Sequence, residues 1–139
     1  LEGTSSSLDI RGDVVKVATF GDNGVLRIGG GSISADTTMQ LYAEGSMGQV
    51  VFVADVSLNG NSTKSIAGFI VTILQDVEVN IGGSKATVYV GKDENGNYNA
   101  NFSELNGGNG STNGTFTGMG INPLQDFASR PSIGPHPGD

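Results

Sequence analysis

Three short apolar triplets recur in the same order along this chain, and their spacing narrows the fold more than any other feature. Leu26-Arg27-Ile28 aligns with Val51-Phe52-Val53 and Val71-Thr72-Ile73, at offsets of 25 and 20 residues. Ile33-Ser34-Ala35 aligns with Val56-Ser57-Leu58 and Val77-Glu78-Val79, at offsets of 23 and 21. Leu41-Tyr42-Ala43 aligns with Ile66-Ala67-Gly68 and Val88-Tyr89-Val90, at offsets of 25 and 22. Leu8-Asp9-Ile10 and Val14-Val15-Lys16-Val17 read as an earlier, partial turn of the same pattern. Three strand positions that return together are the mark of a coil that stacks on copies of itself. One coil cannot bury its inward Val, Ile and Leu side chains. Coils stacked at about 4.8 Å bury a continuous core.

Within each segment the apolar residues alternate with period two, not 3.6, and no stretch pairs helical spacing with caps. Glycines Gly29, Gly30, Gly31, Gly60, Gly82 and Gly83 fall between strand positions, where a coil must turn sharply. The expected fold is therefore all-β, a β-solenoid of about four coils. A β-sandwich or jelly roll also has frequently recurring strands, but the spacing favours the solenoid. The expected inward residues are Ile28, Ile33, Leu41, Val51, Val53, Val56, Leu58, Val71, Ile73, Val77, Val79, Ile81, Val88 and Val90.

Composition divides the chain. Residues 1–7, LEGTSSS, read as a polar N-terminal arm, and residues 8–90 as the solenoid. Residues 91–139 hold all four prolines, ten glycines and eight asparagines, and read as an extended tail that makes no core of its own. The sparse apolar residues of this tail are expected to anchor it on an existing sheet edge or groove, of its own subunit or the next. The anchors are Tyr98, Phe102, Phe116, Ile121, Leu124 and Phe127. Pro131, Pro135 and Pro137 deny the last residues ladder donors, so that segment should be the least paired.

The segments ADTTMQLYAEGSMGQVVFVADVSLNGNS, FIVTILQDVEVNIGG, ATVYVG, NYNANFS and GGNGSTNGTFTG together resemble filamentous-haemagglutinin-type β-helix segments of bacterial surface proteins. The likeness covers roughly residues 8–120 and rests on strand and turn patterns. It implies a right-handed parallel β-helix, export to the cell surface, and structural or adhesive use. The chain departs from large adhesins in its shortness, which suggests a subunit.

Charge and chemistry exclude more than they admit. Seven basic residues against fourteen acidic ones give a net charge of −7, with no basic run, which argues against nucleic acid and anionic membrane surfaces as partners. No apolar run is long enough to span a bilayer. The chain has no cysteine, which removes disulfides, thiol catalysis and thiolate zinc sites. The low charge and the Gly/Asn/Ser/Thr richness point to a secreted, mature product found outside the cell or at its surface. The single histidine, His136, sits in the Pro/Gly tail, without the buried setting a catalytic triad requires.

DENGNYNANFSE places Asp93, Asn95, Asn97, Asn99, Asn101 and Glu104 at positions 1, 3, 5, 7, 9 and 12 of a calcium-loop template. Tyr98, however, stands where that loop needs Gly, and no helices flank it. The competing reading is an extended strand, with the asparagines on one face and Tyr98, Ala100 and Phe102 on the other. Arg11-Gly12-Asp13 spells a cell-attachment tripeptide, but Gly12-Asp13 also reads as a turn. Asn61, Asn101, Asn109 and Asn113 begin N-x-S/T sequons and are candidate glycosylation sites. No arrangement here resembles an active site, and no cofactor is expected. The leading expectation is a self-associating subunit of an extracellular β-solenoid filament. The alternative is the terminal module of a larger bacterial surface adhesin that binds carbohydrate or a host surface. A polysaccharide-cleaving β-helix enzyme is weaker still, because the basic residues are few and scattered.

Overall fold

The computed structural model of the chain describes residues 8–102 and 113–133. The arm at 1–7, Glu104, Asn109 and His136 lie outside the described residues. The described residues form twelve strands: β1 (Leu8–Thr19), β2 (Val25–Ile28), β3 (Gly31–Ala43), β4 (Gln49–Phe52), β5 (Val56–Asn59), β6 (Thr63–Gly68), β7 (Ile70–Ile73), β8 (Glu78–Ile81), β9 (Ala86–Val90), β10 (Ala100–Asn101), β11 (Thr115–Gly118) and β12 (Gln125–Asp126). Every ladder between them is parallel. Consecutive strands do not pair; each pairs with the strand one coil away. This is a β-solenoid, close to the four coils expected.

The strands fall on three faces. The first face carries the front halves of β1 and β3, then β5, β8 and β11. The second carries the back halves of β1 and β3, then β6, β9 and β12. The third carries β2, β4, β7 and β10. Early coils run from the first face to the second as one long strand, and later coils break there. At the break, Gly60 and Gly83 adopt φ values of +103° and +85°. A Cβ on Gly60 would strike the carbonyl of Ala35, and one on Gly83 the carbonyl of Gly60, so the stacked corners admit only glycine.

All the expected inward residues are buried except Val51 and Val53. On the third face Leu26 pairs with Val50, and Val50 with Val71. The actual register is thus one residue from the expected one, which puts Val50 and Phe52 in the core and leaves Val53 39% exposed. The cause is local. VVFV is apolar at both parities, so alternation cannot choose a face, and a one-residue slip inverts the strand. On the first face Ile33 pairs with Leu58, not Val56, and Val56 with Val79, not Val77. That slip is by two residues and preserves which side chains face inward. On the second face Leu41, Ile66 and Val88 stack as expected.

The ladders do not stop at Val90. Ala100 pairs with Val71, Phe116 with Val79, and Gln125 with Tyr89. Much of the segment expected as an extended tail therefore forms rungs. Phe102 and Phe116, expected as outer anchors, lie in the core with 0% and 2% exposure. Their rings meet edge to face at 4.9 Å, and Phe116 also meets Phe52 at 6.0 Å. The composition argument misled because a rung added to an existing core needs only one or two inward apolar residues, not a core of its own.

An inward strand position carries a charged side chain. Lys64 stacks between Met39 and Ala86 and is 2% exposed. Its Nζ donates to the Gly60 carbonyl at 2.5 Å, the Ser84 hydroxyl at 3.0 Å and the Ser84 carbonyl at 3.2 Å. The Ser84 hydroxyl in turn donates to the Ser62 carbonyl at 2.6 Å. The ammonium thus ties the corners of two successive coils together. These acceptors are all neutral, and burial pushes the Lys64 pKa down from its usual range.

Candidate assembly surfaces

A strand in the middle of a parallel ladder has both edges paired, whereas a strand at its end presents unpaired N–H and C=O groups. Among the described residues, β1 and β2 form one end of the ladders, while β10, β11 and β12 form the other. The two ends differ. The N-terminal end is a twelve-residue strand, β1, in which inward Val15 is buried but Leu8, Ile10 and Val17 are only half-buried, with Leu26 of β2 beside them. The C-terminal end consists of strands of two to four residues; it buries Phe102 and Phe116 and leaves Ala100, Ile121 and Leu124 half-buried.

After β12 the chain leaves the coil and crosses the outside of the second face. The Asp126 side chain accepts the Ala128 N–H at 2.9 Å and caps a 3-10 turn at Phe127–Ser129. Phe127 meets Phe69 edge to face at 6.3 Å, and the Arg130 guanidinium sits 3.9 Å from the centre of the Phe127 ring. Arg130 also grips Glu44 with two nitrogens, at 2.7 and 3.2 Å. Ile133 is buried with Tyr42 and Ala67, next to Ala18, Phe20 and Tyr89. Ala18, Tyr42, Ala67 and Tyr89 stack in one outward column, so the small Ala67 leaves a notch between two tyrosines. Burial pushes the Tyr42 phenol up to about 12, with the Ser65 hydroxyl acting in the opposite sense. This strap lies on its own subunit's flank, one of the two surfaces expected for the tail. Pro131, which has no N–H, lies within it, outside any strand.

Of the expected anchors, only Phe127 is a strap residue. Ile121 and Leu124 pack against the main core from the last rungs. Tyr98 stays exposed, with the Lys92 ammonium 4.7 Å from its ring centre. Sequence reasoning missed Glu44, Arg130, Tyr42 and Phe69. One signal was available: Tyr42 and Tyr89 occupy the same outward position in the aligned triplets, too apolar for a plain solvent-facing column.

The described members of the calcium template lie in a turn and a strand, and Glu104, its last position, lies outside the described residues. Lys92 and Tyr98 bridge antiparallel, the chain reverses at Gly96 with φ +82°, and the Asp93 backbone N–H donates to the Asn97 carbonyl. The Asp93 carboxylate is used inside this turn, accepting the N–H groups of Asn95 at 2.8 Å and Asn97 at 3.0 Å. Asn99 bonds back to Gly91, and Asn101 belongs to β10. The extended-strand reading also fails for Asn95 and Asn97, which lie in the turn, but holds from Ala100 to Phe102. Gly12-Asp13 is not a turn between strands but lies within β1, where the single Asp13 faces two residues of β3, Asp36 and Thr37, in a bulge of that strand. There Arg11 pairs with Asp9 at 3.3 Å, and the Thr37 hydroxyl donates to Asp13 at 2.5 Å. Asn61 is exposed at the turn between β5 and β6, Asn101 is exposed and accepts from the Asn113 side chain, and Asn113 is half-buried.

The outward side chains of the first face form a polar column, Asp9, Ser32, Ser57, Asn80 and Thr117. A shallow depression of about 180 Å³ opens beside it, between Asp55, Ser57, Glu78 and Asn80. Among the described residues no three His, Asp or Glu side chains come together in a metal-binding group. No helix there is long and apolar enough to cross a membrane. The chain matches no protein-family model, no curated protein and no solved structure.

Proposed function

We propose that this chain is the structural subunit of an extracellular filament, assembled by head-to-tail stacking of β-solenoids. The observation that carries the reading is the pair of ladder ends. Among the described residues both ends present strands with a single neighbour, and the strap runs along the flank instead of across either end. A contact between two different ends of identical subunits does not close on itself and propagates as an open filament. Backbone pairing and apolar contact would hold it, since only 15% of residues are charged.

Negative-stain microscopy of the purified chain is the test. Filaments are the expected result; monodisperse monomers at high concentration overturn the reading. The filaments should also persist in 1 M salt, where the Debye length falls to about 3 Å. The second reading, a terminal adhesin module, draws on the polar column and depression of the first face. Monomers that bind immobilised glycans would favour it.

A further inference from the structure

Inward columns on the second and third faces begin and end in apolar residues, and this constrains how one copy can meet the next. On the second face one column runs Val15, Met39, Lys64, Ala86, Ile121. Its neighbour runs Val17, Leu41, Ile66, Val88, and Leu124 falls next because Gln125 pairs with Tyr89. On the third face a column runs Leu26, Val50, Val71, Ala100. The outward column of the first face runs from Asp9 to Thr117. Ile121, Leu124 and Ala100 are half-buried at one end, and Val17 and Leu26 are half-buried at the other.

We propose that a second copy of this chain adds in the one register that continues every column. The front half of its β1 seats on β11, the back half on β12, and its β2 on β10. Val15 of the incoming copy then stacks on Ile121, Val17 on Leu124, Leu26 on Ala100, and Asp9 stands beside Thr117. A slip of one residue turns each apolar side chain outward. A slip of two residues keeps the faces but breaks the match at the corner. The point between Gly12 and Val14 where β1 passes from the first face to the second must meet the corner between β11 and β12. Growth is polar, because the two ends are complementary and not alike. This inference rests on the filament reading and adds its register.

The absence of cysteine makes the register readable by oxidation. Within one subunit, positions 9 and 117 lie four rungs apart, about 19 Å, too far for a disulfide. Across the proposed junction they are adjacent rungs in one column, within reach. Both side chains are at the surface, so Asp9→Cys with Thr117→Cys should fold and assemble. On oxidation its filaments should give a ladder of covalent oligomers on a denaturing gel. The pair Arg11→Cys with Thr117→Cys, displaced by two residues, should give about tenfold less, since its separation exceeds the disulfide limit of roughly 7 Å. Filaments in which the 11/117 pair cross-links as well as or better than the 9/117 pair, or in which neither does, overturn the register and leave the filament reading standing. Wild-type protein and both variants that all remain monomeric overturn the two together.

Discussion

Between Gly31 and Val90 each rung is made by strands of four to thirteen residues that turn mostly branched aliphatics inward. Beyond Val90 the rungs are made by strands of two to four residues rich in Gly, Asn and Thr. The backbone geometry is the same, but its stabilisation is different. In the middle coils, stacked columns of Val, Ile and Leu are covered above and below by their own kind. The last coil concentrates its burial in Phe102 and Phe116 and is followed at once by a strap that reaches back to Glu44 and Tyr42. A repeat array is as stable as its terminal units allow, and terminal units are commonly atypical for that reason. Here the atypical unit exchanges regular alternation for aromatic bulk and a return contact.

The strongest challenge to this contrast is Phe116→Ala. Removing a buried ring that touches both Phe52 and Phe102 should destabilise by about 3–5 kcal/mol, the range for such truncations. If the last coil is a separate layer, the loss should appear first as faster hydrogen exchange in β10, β11 and β12, with β3 and β6 still protected. Uniform loss of protection across all faces would show that the last coil and the middle coils are a single cooperative unit. Val51→Ala, an outward position, should stay within about 0.5 kcal/mol of wild type.

The strap gives the next effect. Arg130 and Glu44 are largely but not fully buried, with side-chain exposures of 21% and 15%, and they meet through two bonds. Glu44→Gln should cost about 1–2 kcal/mol, between the values for exposed and buried pairs. In a thermal melt it should loosen the strap before the coils. A double-mutant cycle with Arg130→Ala that gives no coupling would mean the strap is held by Phe127 and Ile133 alone.

How much of this contrast the sequence reveals follows from the same physics. Leu41, Ile66 and Val88 could be aligned correctly because each follows a polar residue, Gln40, Ser65 or Thr87, which fixes its parity. The VVFV run could not, because both parities are apolar and only packing selects Phe52 over Val53. The last coil escaped because Phe102 and Phe116 lie in polar surroundings that resemble a linker. Their burial depends on a core built by residues far away in sequence. The strap's far ends were illegible for a similar reason: Glu44 and Arg130 are 86 residues apart, and nothing local marks either as a partner. Lys64 was hidden by its charge, which argues for solvent until the carbonyls of a tight corner are in place to receive it.

Lys64→Met tests that last point with a smaller effect. The folded state lowers the Lys64 pKa below its unfolded value of 10.5. Between those two values the unfolded chain binds more protons than the folded one, so this group makes stability rise with pH there. The penalty is fully present below the folded pKa. Denaturation of the wild type across the alkaline range should carry this rising contribution, and Lys64→Met should lack it. An unchanged pH profile in the variant would remove Lys64 as its source.

The smallest effect belongs to Tyr42 and reports on whether the strap covers the flank in solution. Its phenol is raised from 10.0 to about 12, chiefly by burial. A phenol with a raised folded pKa binds its proton more tightly when folded. Its contribution is therefore fully present below pH 10 and is lost as pH rises through the window from 10 to about 12. Phenolate absorbance during an alkaline titration reads this directly, since the chain has only three tyrosines. Ending the chain after Arg130 removes Ile133, which packs against Tyr42 and Ala67, while leaving Phe127 and the Glu44 pair in place. Tyr42 should then titrate closer to 10, and its share of the alkaline stability loss should shrink. Replacing Ile133 with Asp in the full-length chain should shift it the same way, because a charged side chain cannot occupy the notch without bringing water. If Tyr42 still titrates near 12 in both variants, its burial comes from Ser65, Tyr89 and the neighbouring coils. The strap would then be an ornament on the last coil, with no part in holding the flank.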